Sequence, residues 1–242
     1  MFNVMDERDT IRHMLKTGCG IARYGDGELK MCLGGGAISQ CPNGYMAERL
    51  RGILKSKSEK CLVGIPRIWN RNDWPTERKA AFWRKYANPK FTDLYSRKKQ
   101  YGSAFITRGD AVEGLECHEY FDLVKQLWKG KKALVMHGKG RGFLKRIDLL
   151  DGVTEFKVLL GPVADAWEQY DHLLKWIKKE VTKNGFDVVL LSLGPTATVL
   201  AYDLCEMGIQ GLDLGHIGQY YSHIHPKSKF YDGTPQTDPR GV

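Results

Sequence analysis

The stretch GIARYGDGELKMC, residues 20 to 32, combines one arginine with two carboxylates and two interleaved glycines. Asp26 and Glu28 are separated by one residue, so in an extended backbone both side chains leave the same face. Such a carboxylate pair suits Mn²⁺ or Mg²⁺, which leave further coordination positions to water and substrate phosphate. Arg23 offers a planar fork that binds phosphate. The stretch also fits a plain β-hairpin, because Asp-Gly between short apolar runs is a strong turn signal. Spacing alone leaves both interpretations open.

Two further segments place polar groups directly after an apolar run. In SLGPTAT, Gly194, Pro195 and Thr196 begin a predicted helix, where free backbone amides and the helix dipole attract an anion. An ordinary strand-to-helix turn fits this segment equally well. In YGSAFITR, the predicted strand ends in Thr107 and Arg108, at the edge of the sheet where open α/β proteins bind ligands.

The segment from Arg67 to Lys99 is both basic and aromatic. It contains ten basic residues, three acidic ones and seven aromatic rings, within a chain of net charge +9. Basic groups interleaved with aromatic rings can follow a phosphate backbone and stack on bases. The alternative is a helix with a solvated basic face and an aromatic core face.

Apolar runs of strand length alternate with helical patterns along the chain, which predicts an α/β fold with a mainly parallel sheet. The predicted strands are 61–65, 103–106, 133–137, 156–160, 187–193 and 211–215. Helices are predicted from Asp165 to Lys183, from Pro75, and from Pro195 to near Gly208. We expect one domain over residues 1–224 and an extended or partly disordered tail over 225–242, which is rich in Pro and Gly.

Composition excludes several classes of protein. No run approaches the roughly 18 apolar residues of a membrane span, and the first residues are charged where a signal peptide would be apolar. We therefore expect a cytoplasmic protein. The six cysteines form no C-x-x-C pair, which favours buried reduced thiols over zinc or disulfides. His216, His223 and His225 lack the regular spacing of a zinc site.

Three segments, RYGDGE, YGSAFITR and SLGPTATVLAYDLCEMGIQGLDLGHI, occur in an order and at separations that resemble the GT-D-type glycosyltransferases. The resemblance covers about Ile21 to Ile217. It implies a Rossmann-like α/β enzyme with a D-x-E element, a divalent metal and a nucleotide-sugar donor, typically a UDP-sugar. The stretches HGKGRGFLKRIDLL and GHIGQYYSHIH depart from the family pattern, which affects acceptor binding more than donor binding.

The resemblance also implies roles for individual residues. Asp26 and Glu28 match the metal-binding pair, and Arg23 precedes them as in the family. Residues matched to the donor pocket and to the C-terminal motifs are Ser103, Thr107, Arg108, Gly194, Pro195, Asp213, Gly215 and His216. Arg23 or Arg108 would neutralise the leaving diphosphate. Asp213 and His216 are the candidates for a general base if the reaction inverts configuration.

These observations predict a hexosyl- or pentosyltransferase that acts on a glycan, a glycoprotein or another hydroxyl acceptor. The basic-aromatic segment 67–99 suggests an alternative acceptor, the hydroxymethylated bases of phage DNA. A second alternative is a non-catalytic nucleic-acid-binding protein on a transferase scaffold.

Overall fold

Nine strands in the part of the chain that the structure describes form one sheet, and every neighbouring pair runs parallel. The computed structural model describes residues 2–69, 76–108, 116–138, 147–224 and 236–237. The strands are β1 (Asn3–Val4), β2 (Gly20–Arg23), β3 (Cys61–Ile65), β4 (Gln100–Ser103), β5 (Lys132–Gly138), β6 (Glu155–Gly161), β7 (Val188–Ser192), β8 (Gln210–Asp213) and β9 (Gln236–Thr237). The helices are α1 (Glu7–Thr17), α2 (Asp26–Cys32), α3 (Gly44–Lys55), α4 (Glu77–Arg84), α5 (Pro89–Thr92), α6 (Glu116–Lys125), α7 (Tyr170–Asn184), α8 (Pro195–Glu206) and α9 (Ile217–Ile224).

The sheet lies between two layers of helices. Successive residues of a strand point to opposite faces, and Ile21 and Ala22 of β2 accordingly belong to different parts of the core. Helices α1, α6 and α9 pack on the face of Ile21, whereas α2, α3 and α8 pack on the face of Ala22. Helix α7 shares a core cluster with α8 and so lies on that second face. The predicted Rossmann-like α/β architecture is confirmed.

Strands β2 and β8 lie side by side at the centre of the order β1-β4-β3-β2-β8-β7-β5-β6-β9. The chain leaves them toward opposite faces, since α2 follows β2 into one helical layer and α9 follows β8 into the other. Their ladder pairs only Ile21 with Leu212. In an open α/β sheet, ligands bind at the carboxyl ends of strands where the connections diverge in this way. The fold therefore directs attention to the residues that follow Arg23 and Asp213.

Five of the six predicted strands are confirmed as β3, β5, β6, β7 and β8, with ends shifted by at most a few residues. The prediction of a strand over 103–106 is wrong. Strand β4 ends at Ser103, and the chain then turns, so that the Arg108 amide donates to the Phe105 carbonyl at 2.8 Å. Ala104, Phe105 and Ile106 are buried, because the turn packs into the core. An apolar run does not distinguish a buried strand from a buried turn that follows it.

The predicted helices are present with altered starts. A 3₁₀ turn, Ala166–Gln169, precedes α7, and α8 begins at Pro195 as expected. The helix predicted from Pro75 is α4, whose N-cap Thr76 accepts a hydrogen bond from the Lys79 amide; Pro75 itself lies outside the described residues. No helix in the described part of the chain is long and apolar enough to cross a membrane.

The single-domain prediction for residues 1–224 and the tail prediction for 225–242 stay predictions. Within that tail, the structure describes only Gln236–Thr237, which forms β9 and pairs with Leu159 and Leu160 of β6. The rest of the tail lies outside the described residues.

Most aromatic rings of the basic-aromatic segment 67–99 belong to the core. Trp83, Tyr86 and Tyr95 are at most 6% exposed, whereas Phe82 is 39% exposed. Trp69 and Phe91 pack against the same cluster, and Trp74 lies outside the described residues. The prediction that these rings could stack on bases is wrong for the three buried ones, because stacking needs an open ring face and at most 6% of each of these residues is accessible. The exposed basic side chains of the segment are unaffected by this correction.

The prediction of buried thiols is confirmed for four of the five cysteines whose side chains the structure describes and is wrong for Cys41. Cys19, Cys32, Cys61 and Cys205 are buried free thiols, and Cys41 is a free thiol at the surface. The side chain of Cys117 lies outside the described residues. Burial raises the pKa of Cys32 to about 12, so that group is an inert core thiol.

Candidate active site

A cavity of 440 Å³ opens at the carboxyl ends of the strands around β2 and β8. We call its lining along β4, β2 and β8 the charged half; its ionisable side chains include Arg23, Asp26, Glu28, Lys30, Arg108, Asp213 and His216. We call the lining along β7, β5, β6 and the turn 37–39 the neutral half; it comprises Ala37, Ile38, Ser39, Gly138, Pro162, Val163, Ser192, Leu193, Gly194 and Pro195. Among the described residues, the neutral half contains no ionisable side chain. The cavity thus joins two chemically different surfaces.

Asp26 and Glu28 lie in the first turn of α2. Gly25 is the N-cap in extended conformation, and the Glu28 carboxylate accepts a hydrogen bond from the Gly25 amide at 2.7 Å. Both the hairpin and the extended arrangement of the two carboxylates are therefore wrong. Alternate residues of a helix point about 200° apart around its axis, yet both side chains still line the cavity. The helix forms because the glutamate satisfies an amide that the first turn leaves unpaired.

The surroundings of the Glu28 carboxyl group disfavour its charged form. Burial, followed by the charge of Asp213, raises the pKa of Glu28 to about 7, and Asp26 acts in the same direction. Asp26 is more accessible, with 38% of its side chain exposed, and it pairs with Lys30 at 2.7 Å. Three carboxylates thus approach one another at the start of α2 and the end of β8.

Arg23 and Asp213 join the two central strands. Arg23 Nε donates to the Asp213 carbonyl at 2.5 Å, and its Nη2 lies 3.7 Å from Asp213 Oδ1. The Asp213 carboxylate also accepts from the Gly215 amide at 3.1 Å and from the Thr198 hydroxyl at 2.9 Å. Burial raises the pKa of Asp213, and the Arg23 guanidinium opposes that shift. With both oxygens occupied, Asp213 is built to hold its neighbours in place.

The turn after β4 is tied to the same network. Arg23 Nη1 donates to the Ala104 carbonyl at 2.7 Å and to the Thr107 hydroxyl at 2.6 Å. Thr107 is 1% exposed but borders the cavity. Ser103 does not border it, because its fully buried hydroxyl donates to Glu7 at 3.0 Å. The structure therefore brings Thr107 and Arg23 to the site and places Ser103 behind it.

Arg108 lies among three aromatic rings that also line the cavity. Its guanidinium carbon is 5.0 Å from the ring centroid of Tyr220, 5.6 Å from that of Phe105 and 5.8 Å from that of Trp83. Cation–π contacts of this kind attract and orient a guanidinium. The sequence singled out Arg108 and placed Trp83 in the basic-aromatic segment 67–99, but it did not bring Trp83, Phe105 and Tyr220 together around Arg108.

The amino end of α8 enters the cavity from the neutral half. Gly194 has a φ of 56° and a ψ of −148°, and a Cβ there would lie 2.5 Å from Ser39 Oγ. Gly194 and Pro195 line the cavity, and their predicted role in binding an anion stays a prediction. Thr196 does not, because its fully buried hydroxyl donates to Gln40 at 3.3 Å.

Of the three histidines near the end of the chain, the structure places His216 at the cavity. His216 is exposed and lines the charged half of the cavity, directly before α9. The side chain of His223 and all of His225 lie outside the described residues, as do the residues of HGKGRG after Gly138. The described residues contain no cluster of three or more His, Cys, Asp or Glu side chains arranged to hold a metal ion.

The charge distribution nevertheless fits a divalent cation. Burial raises the pKa of Glu28, and the charges of Asp213 and Asp26 raise it further; a cation would relieve that repulsion. Asp26 and Glu28 would hold the ion, since Mg²⁺ and Mn²⁺ commonly use one or two protein carboxylates and complete their shell with water and substrate phosphate.

Sequence reasoning missed the turn 37–39 and Thr198. The Ala37 and Gln40 backbones exchange hydrogen bonds of 2.9 and 3.2 Å across this turn. A Cβ at Gly27 would lie 2.9 Å from Ala37 Cβ, so the turn packs against the start of α2. Only the preceding glycine run, residues 34–36, hinted at an unusual backbone here. The turn's place over the carboxylates depends on long-range packing.

Comparisons with known proteins agree with the fold. The glycosyltransferase GT-D fold family matches residues 21–230. The chain is 27% identical to a probable glycosyl transferase Gly of Streptococcus gordonii, over 90% of this chain and 32% of that protein. It is 28% identical to the glycosyltransferase GlyD of Streptococcus pneumoniae, over 91% of this chain and 27% of that protein. The chain thus spans about a third or less of the length of these curated relatives.

Solved structures give the same result. One, described as a highly conserved domain of unknown function with a distinct glycosyltransferase fold, superposes with a TM-score of 0.86 at 28% identity, over 99% of this chain and 88% of that one. Another, a glycosyltransferase from Streptococcus sanguinis, gives 0.83 at 26% identity, over 100% of this chain and 92% of that one. This chain therefore belongs to the family of glycosyltransferases with the GT-D fold.

Proposed function

We propose that this chain is a metal-dependent glycosyltransferase that uses a nucleotide-sugar donor, most simply a UDP-sugar, and transfers the sugar to a hydroxyl group of a glycan or glycoprotein. The observation that carries the proposal is the convergence of Asp26, Glu28 and Arg108 on one cavity at the junction of β2 and β8. Two carboxylates and a guanidinium are the groups that a metal-bound diphosphate requires.

Most residues of the charged half have a role in this proposal. Asp26 and Glu28 hold the cation, which when bound neutralises the charge that develops on the leaving diphosphate. Arg108 contacts the diphosphate, oriented by its aromatic neighbours. Arg23 and Asp213 are positioning residues, because their polar atoms are engaged in joining β2, β8 and the turn after β4.

The amino end of α8 adds a second source of positive potential. A helix N-terminus favours an anion through its unpaired amides and its dipole. Gly194 and Pro195 border the cavity there. Of the two predicted general bases, exposed His216 is the one we propose, because buried Asp213 has both carboxylate oxygens engaged.

The proposal is tested by incubating the protein with a panel of nucleotide sugars and MnCl₂ and measuring slow hydrolysis of the donor. We expect one donor to be hydrolysed, and EDTA to abolish that reaction. Full hydrolysis in EDTA would remove the metal from the proposal. If the protein neither binds nor hydrolyses any nucleotide sugar of the panel, the result would favour the non-catalytic alternative.

DNA as an acceptor is the weaker alternative. Its remaining support is the exposed basic side chains of the segment 67–99, since Trp83, Tyr86 and Tyr95 are buried. Some of the basic groups are also engaged: Arg67 pairs with Glu7 at 3.1 Å, and the ammonium of Lys99 donates to the Ser56 carbonyl.

A further inference from the structure

Ile38 is 98% exposed, although it is a large apolar side chain at the rim of the cavity. A single exposed aliphatic side chain is ordinary. Here, however, Val163 lines the same half of the cavity and is 43% exposed. Tyr45, 64% exposed, packs against Trp167 with 6.0 Å between ring centroids, and the Trp167 amide donates to Gln40 beside the turn. The neutral half therefore presents an accessible apolar surface.

The turn that bears Ile38 is fixed in place. The Ser39 carbonyl accepts from the Asp165 amide at 2.9 Å, and the Asp165 carboxylate accepts from the Cys41 amide at 2.6 Å. Asp165 adopts a φ of 50°, a left-handed conformation that costs a non-glycine residue free energy. Gln40 accepts from the Trp167 amide at 3.1 Å. These hydrogen bonds to Ser39, Gln40 and Cys41 fix the backbone next to Ile38. The Ile38 side chain therefore points outward although it packs against little of the protein.

The position of the turn relates it to the reacting groups. Ala37 packs on Gly27, which lies between Asp26 and Glu28, and Ser39 packs on Gly194 at the start of α8. Ile38 stands between these two contacts. A group resting on Ile38 would therefore lie next to the carboxylates of the charged half.

The two halves also differ in what they can recognise. The diphosphate belongs with the charged half, for the reasons given above. The neutral half offers hydroxyl, backbone and aliphatic groups, and no charged group among the described residues. The described side chains of that surface suit an uncharged, hydroxyl-rich molecule with apolar C–H faces. The amino end of α8 at Gly194 and Pro195, which favours an anion, serves the donor diphosphate.

We propose that Ile38 and Val163 form the acceptor subsite, and that the acceptor is an uncharged sugar ring whose C–H face rests on these two side chains. This inference rests on the proposed glycosyltransferase function. It assigns the donor to one half of the cavity and the acceptor to the other, and it makes Ile38 a specificity-determining residue.

The test compares transfer with donor hydrolysis in Ile38→Asp and Val163→Asp. Three acceptor probes are supplied together with the intact nucleotide sugar that the hydrolysis assay identifies. They are neutral methyl glycosides, the corresponding glucuronides, and duplex DNA containing hydroxymethylcytosine. We expect transfer to a neutral glycoside, with kcat/KM for that acceptor reduced at least tenfold in Ile38→Asp. Donor hydrolysis should fall less than transfer does, so that the ratio of transfer to hydrolysis drops in Ile38→Asp and in Val163→Asp.

Met207→Asp is the matched control, because Met207 is another exposed large apolar residue, 48% exposed, at the far end of α8. It should leave both reactions unchanged, and Ile38→Val should restore most of the transfer. Transfer unaffected by Ile38→Asp, transfer only to the anionic probes, or no transfer to any probe would overturn the inference while donor hydrolysis persists. If the unmodified protein hydrolyses no donor, the result would instead count against the proposed function.

Discussion

The charged and neutral halves of the cavity are both built on the carboxyl ends of parallel strands, yet they hold their side chains differently. In the charged half, long polar groups such as Arg23 are fixed by hydrogen bonds to other strands and turns. In the neutral half, the backbone of the turn 37–39 is fixed and the Ile38 side chain is left exposed. The difference indicates that the sheet supplies position to both halves, while the loops supply separate chemistries. Donor and acceptor recognition should therefore be separable by mutation.

The largest effect is expected from Glu28→Gln, which tests whether the charged half depends on a cation. The amide keeps the shape and the acceptor oxygen for the Gly25 amide but removes the ligand charge. Donor hydrolysis with MnCl₂ should fall about 100-fold or more, in the range seen when a group that stabilises transition-state charge is lost. Glu155→Gln is the control, since Glu155 pairs with Lys132 at the amino ends of β6 and β5, whereas the cavity lies at the carboxyl ends of the strands. Equal activity of the two variants would contradict the assignment.

Arg108→Lys should have the next largest effect, confined to donor binding. Lysine keeps the charge but loses the bidentate fork and the planar stacking. The dissociation constant for the donor, measured by calorimetry with MnCl₂, should rise by the equivalent of about 1.5 to 3 kcal/mol. Arg84→Lys, at an exposed ion pair with Glu77, should change nothing. An unchanged dissociation constant in Arg108→Lys would exclude Arg108 from the donor site.

The pH dependence of stability sharpens the same contrast without any substrate. Glu28 has a pKa raised from 4.5 to about 7 in the folded protein, so between these values the folded state holds a proton that the unfolded state has released. The free energy of unfolding in EDTA should therefore decrease as pH rises from 4.5 to 7, by roughly 1 to 3 kcal/mol. Urea unfolding at pH 5 and pH 8 should show this loss in the unmodified protein and not in Glu28→Gln. Parallel behaviour of the two proteins would show that Glu28 is not the titrating group.

The smallest effect is expected from reversing exposed charges outside the cavity. The triple variant Arg78→Glu, Lys90→Glu and Lys98→Glu changes three exposed side chains of the segment 67–99. Transfer to a neutral glycoside should stay within twofold, and DNA binding should be weak with a shallow dependence on salt. A DNA acceptor predicts instead a log–log slope near −0.9 for each phosphate contacted. A steep slope that the reversal flattens would favour the DNA alternative.

The sequence predicts the charged half better than the neutral half, and the reason is physical. Asp26, Glu28 and Arg108 carry chemistry in their own side chains, so residue type and order indicate a site before any fold is known. The conformation was harder to predict, since Asp-Gly favours a hairpin and only the Glu28 hydrogen bond to Gly25 makes a helix start there. Ile38 carries no chemistry of its own, and its importance comes from where Asp165 and Gln40 hold it.

Ser103 and Thr196 show the converse limit. Both lie in motifs that reach the cavity, and both send their hydroxyls inward, to Glu7 and Gln40 respectively. A motif identifies a segment near a site. The rotamer of each side chain then decides whether that side chain faces the cavity or forms hydrogen bonds within the surrounding protein. That choice depends on partners about 96 and 156 positions away in the chain.

The contact between Arg23 and Asp213 spans 190 positions of the chain, which sets the order of events during synthesis. Strand β2 leaves the ribosome early, and one of its edges stays open until β8 has been translated and inserted. A nascent chain that lacks β8 therefore has an unprotected strand edge and half of the proposed donor site. On the proposed function, we expect nucleotide binding to begin only after the two ends of the domain have met. A fluorescent nucleotide analogue would accordingly report completion of the sheet in a stalled-translation series, with binding gained in one step once β8 has emerged.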